Sequence, residues 1–418
     1  MSNDLEEHLT RTLARAAAEA PVPGYDPVDA VRGRQRRRRR RRAALAAACA
    51  VVVAAAGAVT VVRTAVPPPD LGPQYGFSPD RIPDFTNLPE PEKLWPDAVH
   101  RLPATLPDGS GYAVAAVLGD DRYLVARDGS SGEAAPSVFD TRAGTVTLLG
   151  TSAVGDGLAR SRVLMAREVN GQVVWFVEGT RSNRPVREAW AAPLDGGPAR
   201  RLTDLPNGSS PRFSPVGDGI IWQQEAQGTW KLPAGPTVSV RTVPLSGGPA
   251  VEVPGSQGFD IANVAPWIIN QRYGTGVEAK TSGELRNVVT GERRRWQAAS
   301  GIRFVWCGPT WCTGRGAGDR VALQSLDGTD VVQLPWTGEL KPSMAGRLAV
   351  GQFELPTSTL HLVWDRTTGS AAGVAEPRPA GASPGYGWNL QLMDLDPEVL
   401  TFRSDDREQM VLDLRAVR

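Results

Sequence analysis

Hydrophobic positions follow three different rhythms along the chain. Residues 43–62 (AALAAACAVVVAAAGAVTVV) form 20 consecutive positions without a charge. At 1.5 Å per residue that length covers a hydrocarbon core of about 30 Å, so it predicts one transmembrane helix. Ahead of it, Leu5, Leu9 and Leu13 recur at helical spacing and continue into Ala16 and Ala20. They predict a short amphipathic helix, opened by Asn3 with Glu6 three residues on and ended by Pro21. From about residue 94 onward, apolar residues come in short β-prone runs such as TVTLL (145–149), VVQLP (331–335) and QMVLDL (409–414), separated by turn residues. Those runs predict strands.

The strand-rich part repeats. A turn signature recurs as DTRAG ending at Gly144, PLDGG at Gly197, PLSGG at Gly248, VVTG at Gly291, SLDG at Gly328 and WDRTTG at Gly369. Each lies between two β-prone runs, and neighbouring marks are 37 to 53 residues apart. Gly and Asp there supply the positive φ of tight hairpins. A period near 45 residues with about four short strands describes a propeller blade, which buries its faces only by stacking on neighbours. The last repeat stops at Arg418 one outer strand short, and LWPDAVHRL (94–102), before the first repeat, can supply it. The predicted fold class is all-β: a β-propeller of seven blades, six or eight also fitting the uneven spacing, preceded by the short helix and one transmembrane helix.

The stretch EAWAAPLDGGPARRLTDLPNGSSPRFSPVGDGIIWQQ (188–224) resembles the TolB-type, WD-like propeller repeat. That pattern runs strand, D-G-G turn, R-R-L-T strand, P-x-F-S-P-D-G turn and apolar strand. This chain departs from it in placing Val216 and Gly217 before Asp218-Gly219. The resemblance implies a propeller that is most often a binding platform. The first 42 residues also resemble, weakly, the tails of bacterial anti-sigma-type membrane regulators. The zinc-binding variant of those tails needs a His and two Cys close together, whereas this tail has only His8.

Charge orients the chain. Residues 1–63 hold 12 basic and 6 acidic side chains, and nine of the basic ones are arginines between Arg32 and Arg42. Arginines massed before an apolar span keep that end in the cytoplasm, so residues 1–42 are expected inside and residues 63–418 outside. Arg63-Thr64-Ala65 makes a poor signal-peptidase site, which favours an uncleaved anchor. Prolines at 67, 68, 69, 73, 79, 83, 89 and 91 predict a semi-rigid stalk over 63–93. The expected domains are thus a tail (1–42), a helix in the lipid bilayer (43–62), the stalk (63–93) and an extracytoplasmic propeller (94–418).

Little catalytic chemistry is evident. Cys307 and Cys312 in VWCGPTWC, on an exported domain, suggest a disulfide across a hairpin. Gly381, Ser383 and Gly385 match G-x-S-x-G on paper, but Pro384 and the lack of any histidine after His361 contradict a nucleophile elbow. Asp394, Asp396 and Glu398 alternate on one strand face, yet Pro397 and the missing loop glycine do not make a calcium loop. His100 and His361 have no local companions for zinc. Arg293, Arg294, Arg295 and Trp296 are expected on an exposed outer strand and not on nucleic acid. No metal, cofactor or catalytic residue is therefore expected. The functional expectation is a non-enzymatic sensor or scaffold. Its propeller would bind a wall, peptide or protein ligand, and Leu5, Leu9 and Leu13 would contact a cytoplasmic protein such as a sigma factor. The alternative is an extracytoplasmic propeller enzyme of glycosidase or lyase type, which predicts carboxylates or histidines clustered at a channel mouth.

Overall fold

The structure is a computed structural model. It describes residues 79–85, 87–119, 121–127, 134–150, 157–206, 209–225, 238–271, 280–355, 357–377, 397–403 and 407–418. Leu5, Leu9, Leu13, Cys49, the apolar run 43–62, most of the stalk, Ser383, Asp394 and Asp396 lie outside them. Among the described residues no helix is long and apolar enough to cross a membrane. The chain divides into two compact units, Met1–Pro67 and Pro68–Arg418, and every described residue belongs to the second.

That unit is all-β. β1 (Val99–Pro103) precedes an antiparallel meander of β2 (Tyr112–Gly119), β3 (Arg122–Arg127), β4 (Ser137–Asp140) and β5 (Thr145–Leu148). The same four-strand order recurs in β6 (Ala159–Val169), β7 (Gln172–Arg181), β8 (Arg184–Pro193) and β9 (Arg200–Asp204). It recurs again in β10 (Ser209–Val216), β11 (Gly219–Glu225), β12 (Val238–Pro244) and β13 (Val251–Glu252). A further sheet holds β14 (Asp260–Ile261), β15 (Trp267–Ile269), β16 (Ser282–Asn287) and β17 (Arg293–Gln297).

The next sheet contains β18 (Arg303–Cys307), β19 (Trp311–Arg315), β20 (Arg320–Ser325), β21 (Val332–Ser343), β22 (Leu348–Glu354), β23 (Ser358–Asp365) and β24 (Ala371–Pro377). β21 serves twice: Val332 and Gln333 pair with β20, whereas Gly338 to Ser343 pair with β22. Last come β25 (Val399–Arg403) and β26 (Glu408–Asp413), with β1 alongside β26. Val99 stands opposite Leu412 and Pro103 opposite Glu408. A strand from before the first meander thus completes the last sheet, the exchange implied by residues 94–102.

All six glycine marks fall in the same place, the turn between the third and fourth strands of a meander. Their φ values run from 66° at Gly144 to 134° at Gly197 and Gly248. The TolB-like stretch covers most of β8, all of β9 and β10, and β11 through Gln224, with Gly217-Asp218 as the tight turn.

The core lies between sheets. Leu124 packs with Trp175, Phe176 with Phe213 at 4.7 Å between ring centres, and Val240 with Ile261. The series continues through Leu285 with Val305, Leu323 with Leu362, and Val350 with Leu400, and closes with Val411 against Val125. Successive sheets therefore stack face to face around a closed cycle, a β-propeller arrangement. Inner strands covered on both sides read as unbroken apolar runs, as in Val173–Val177, where every residue is 0% exposed. Outer strands alternate instead. On β17, Arg293 and Arg295 face solvent while Trp296 is buried.

The sequence expectation of a stalk extending through residue 93 is corrected over its last part. Phe85 is 4% exposed, with ring centres 5.9 Å from Trp336 and 6.0 Å from Trp364. The Gly373 N–H donates to the Pro89 carbonyl at 3.0 Å, and a helical turn, α1 (Pro91–Leu94), leads into the buried Trp95. One aromatic residue among many prolines carries these positions onto the propeller, a signal that proline counting overrides.

Candidate functional site

In an antiparallel meander each strand's direction is fixed by its place in the order. β2 touches β6 and β6 touches β10, so the first strands of successive sheets are neighbours on the inside of the ring. They all begin at one rim, where second strands end and third strands start. The glycine turns occupy the opposite rim.

Ionisable side chains gather at the first rim in sheet after sheet. Asp108 receives hydrogen bonds from Ser110 and Arg127, which hold its carboxyl well below the usual carboxylate range. Glu178 lies between Arg162 and Arg187. Asp260, at the start of β14, has its carboxyl pushed up to about 6 by burial, with Ile261 N–H and the Arg212 charge opposing that rise and Glu225 adding to it. Arg303 is 3.2 Å from Asp319, and Lys341 is 3.0 Å from Glu339.

Three of these side chains, Asp319, Glu339 and Lys341, border a cavity of about 420 Å³ between β18–β20 and the second half of β21. Strand alternation builds its two walls. On β18, Val305 and Cys307 turn into the core, leaving Phe304 and Trp306 on the other face. On β21, Leu340 is 2% exposed and buried, leaving Glu339 and Lys341 on the cavity side. Gly338 has φ 149°, and a Cβ there would come within 2.1 Å of the Gln352 carbonyl oxygen, so only glycine lets β21 approach β22 so closely.

Phe304 is the unusual residue. It is 46% exposed and has φ 51°, in the left-handed region that a bulky side chain occupies at a cost of about 1–3 kcal/mol. The register against β19 shifts between Arg303 and Trp306. That bulge re-aims the Phe304 ring out of the sheet, over the cavity. Arg303 lies 6.0 Å from the Phe304 ring centre and Lys341 lies 5.8 Å from that of Trp306. Cys307 and Cys312 face each other in the register of β18 and β19, with their sulfurs bonded in the structure, which pins the hairpin below the aromatics.

The other residues singled out in the sequence lie elsewhere. The ring nitrogen of His100 is 3.2 Å from the Tyr123 hydroxyl, while His361 is 1% exposed with Nε2 3.2 Å from Glu376. Glu398 is ion-paired with Arg415 at 3.5 Å. Arg294 pairs with Glu292 and stacks 5.1 Å from the Trp267 ring centre. Among the described residues no group of His, Cys, Asp and Glu is placed to hold a metal ion. Sequence reasoning passed over Phe304, Asp319, Glu339 and Lys341. Phe304 to Cys307 is an unbroken apolar run that gives no sign of which face each residue takes, and Lys341 is one of four lysines in the chain.

No protein-family profile and no curated protein matches the chain. Solved structures do. A puromycin hydrolase aligns over 79% of this chain at 17% identity and TM-score 0.42, and the chain spans 52% of its length. An oligogalacturonate lyase in complex with manganese aligns over 77% of this chain and 98% of its own, at 11% identity and TM-score 0.44. An oligogalacturonate lyase from Vibrio parahaemolyticus aligns over 76% of this chain and 97% of its own, at 10% identity and TM-score 0.42. At this similarity only the fold is shared, and neither reaction transfers. These matched structures carry the names of enzymes, which runs against the expectation of a non-enzymatic sensor or scaffold.

Proposed function

We propose that the chain is a single-pass membrane protein whose N-terminus is cytoplasmic and whose exterior part is a seven-bladed, TolB-type propeller enzyme acting on a saccharide-like substrate. Counting the sheet that contains β21 as two blades and the β1-β26-β25 sheet as one supports the number seven. Residues 43–62 are the anchor, and an oxidising exterior suits the Cys307–Cys312 bridge.

The observation that carries the enzymatic reading is Phe304, held at φ 51° and 46% exposed over a cavity that also holds acids and bases. An aromatic ring kept in solvent at a conformational cost offers a flat apolar face, to which the C–H face of a sugar ring is complementary. Trp306 adds a second ring. Glu339 and Lys341, 3.0 Å apart, form an acid–base couple able to take a proton from one substrate position and return it at another. Asp319, held by Arg303, offers a second carboxylate for glycoside hydrolysis. Elimination would instead use Glu339 as base, with Lys341 and Arg315 balancing negative charge on the sugar.

The test is an assay of the detergent-purified full chain on neutral glycans, uronate oligomers and wall-glycan fragments. New reducing ends alone report hydrolysis, and an unsaturated product reports elimination. Cleavage that disappears in Glu339→Gln supports the proposal. No cleavage of any substrate, or cleavage unchanged in Glu339→Gln, overturns it.

A further inference from the structure

A second cavity, of about 440 Å³, opens on the same rim between the start of β6, the end of β7 and the start of β8. Arg160, Glu178, Thr180 and Arg187 are among its lining residues. Its setting is basic: residues 159–204 hold eight arginines and five acidic side chains, whereas residues 64–418 as a whole hold 34 basic and 39 acidic.

Arg160 is displayed much as Phe304 is. It is exposed, its φ is 51°, and the register of β6 against β7 shifts between Ala159 and Arg162. The neighbouring guanidiniums are held in place. Arg162 donates from Nε to Glu178 at 2.6 Å, and Arg187 donates from Nε to the other Glu178 oxygen at 3.0 Å. Arg187 also donates to the Ser209 carbonyl at 3.1 Å, tying it to the next sheet. Burial raises the Glu178 pKa, but the bonds from Arg162 and Arg187 outweigh burial and leave it lowered, so this carboxylate stays charged between its two partners. Glu178 thus takes up the forks of Arg162 and Arg187, while no hydrogen bond or ion pair to Arg160 is found among the described residues.

We infer that this cavity is an anion site that takes a phosphate group on a soluble or wall-borne polymer, gripped by Arg160, the lining guanidinium that Glu178 leaves free, and organised by Arg187 and Glu178, with Arg162 neutralising Glu178 from outside the lining. A tetrahedral phosphate accepts the paired N–H groups of a guanidinium and keeps further oxygens for the polar lining of a cavity. The displaced backbone at Arg160 places charge where substrate or polymer would pass, and the site stands independently of the enzymatic reading.

Arginine-specific labelling with phenylglyoxal, read peptide by peptide by mass spectrometry on the full chain, tests it without interference from Arg32–Arg42. Tripolyphosphate is expected to slow labelling of Arg160 at least fivefold and leave the exposed Arg142 unaffected. Arg162→Met should reduce that protection severalfold. Equal slowing at Arg160 and Arg142, or protection undiminished in Arg162→Met, overturns the site. Equal protection by a uronate oligomer overturns the choice of phosphate, and protection by phosphatidylglycerol vesicles alone points to a membrane surface and overturns the polymer.

Discussion

The Lys341 ammonium sits 5.8 Å from the centre of the Trp306 ring, a cation held against an aromatic face on the neighbouring inner strand. Glu339 approaches the same ammonium from β21 itself, at 3.0 Å, with the Lys341 side chain 18% exposed. Two adjacent units of the propeller are joined here by one charged side chain. A cation–π contact of this kind is worth about 0.5–1 kcal/mol.

Lys341→Met should therefore lower stability by less than about 1 kcal/mol while changing the Trp306 fluorescence. The comparison is a denaturant titration followed by tryptophan emission, with Trp306→Phe as the control that identifies the signal. A loss of several kcal/mol would mean that Lys341 is a structural strut and not part of an accessible site.

Phe304 separates conformational cost from use. Phe304→Gly removes a left-handed penalty of about 1–2 kcal/mol, and the exposed ring contributes little packing in return. The expected result is a melting temperature equal to or above that of the unmodified protein, with substrate affinity reduced about tenfold. A fall of several degrees on thermal unfolding would make Phe304 a packing residue.

Asp260 sets a pH dependence. Its carboxyl is raised from 3.8 to about 6 by burial, so the folded state holds the proton more tightly than the unfolded chain. Its stabilising contribution is complete below about pH 4 and is lost as pH rises through about 6. Asp260→Asn should consequently stabilise the protein at pH 7.5, by on the order of 1 kcal/mol once its partial exposure is allowed for, and change little at pH 3.5. Melting curves at the two pH values decide it. A variant destabilised equally at both would show that Asp260 acts through hydrogen bonding and not through its charge.

The β18–β19 hairpin gives a fourth expectation. The bridge between Cys307 and Cys312 has a sequence separation of 5 residues, and both cysteines are 0% exposed. Closing so short a loop restricts the unfolded chain by about 2 kcal/mol in the chain-entropy account. Cys307→Ala with Cys312→Ala should lower the melting temperature by a few degrees and reduce cleavage more than that loss explains, because Phe304 and Trp306 ride on the hairpin. Cleavage identical to that of the parent would free the site from the bridge.

The repeat was legible in the sequence because turns are local. Gly144, Gly197, Gly248, Gly291, Gly328 and Gly369 each need a positive φ, and each marks the same hairpin. Closure by residues 94–102 was legible from the missing strand at the other end. The packing of Phe85 was not, since its partners Trp336 and Trp364 lie about 250 or more residues away in sequence. The cavity was hidden for a similar reason. Phe304 and Lys341 come from strands that are not paired with each other, β18 and the second half of β21, and the bulge that exposes Phe304 leaves no turn residue behind. Histidines and cysteines drew attention as familiar ligands, but His361 is buried beside Glu376 and the cysteines support the aromatics above them.

The most direct measurement is a kinetic comparison of Glu339→Gln and Phe304→Ala on whichever saccharide the unmodified chain cleaves. The acid–base role predicts that Glu339→Gln loses kcat by about 100-fold or more with KM nearly unchanged. The stacking role predicts that Phe304→Ala raises KM about tenfold with kcat largely kept. If both variants cleave as the unmodified chain does, the cavity between β18 and β21 is not where the chemistry happens.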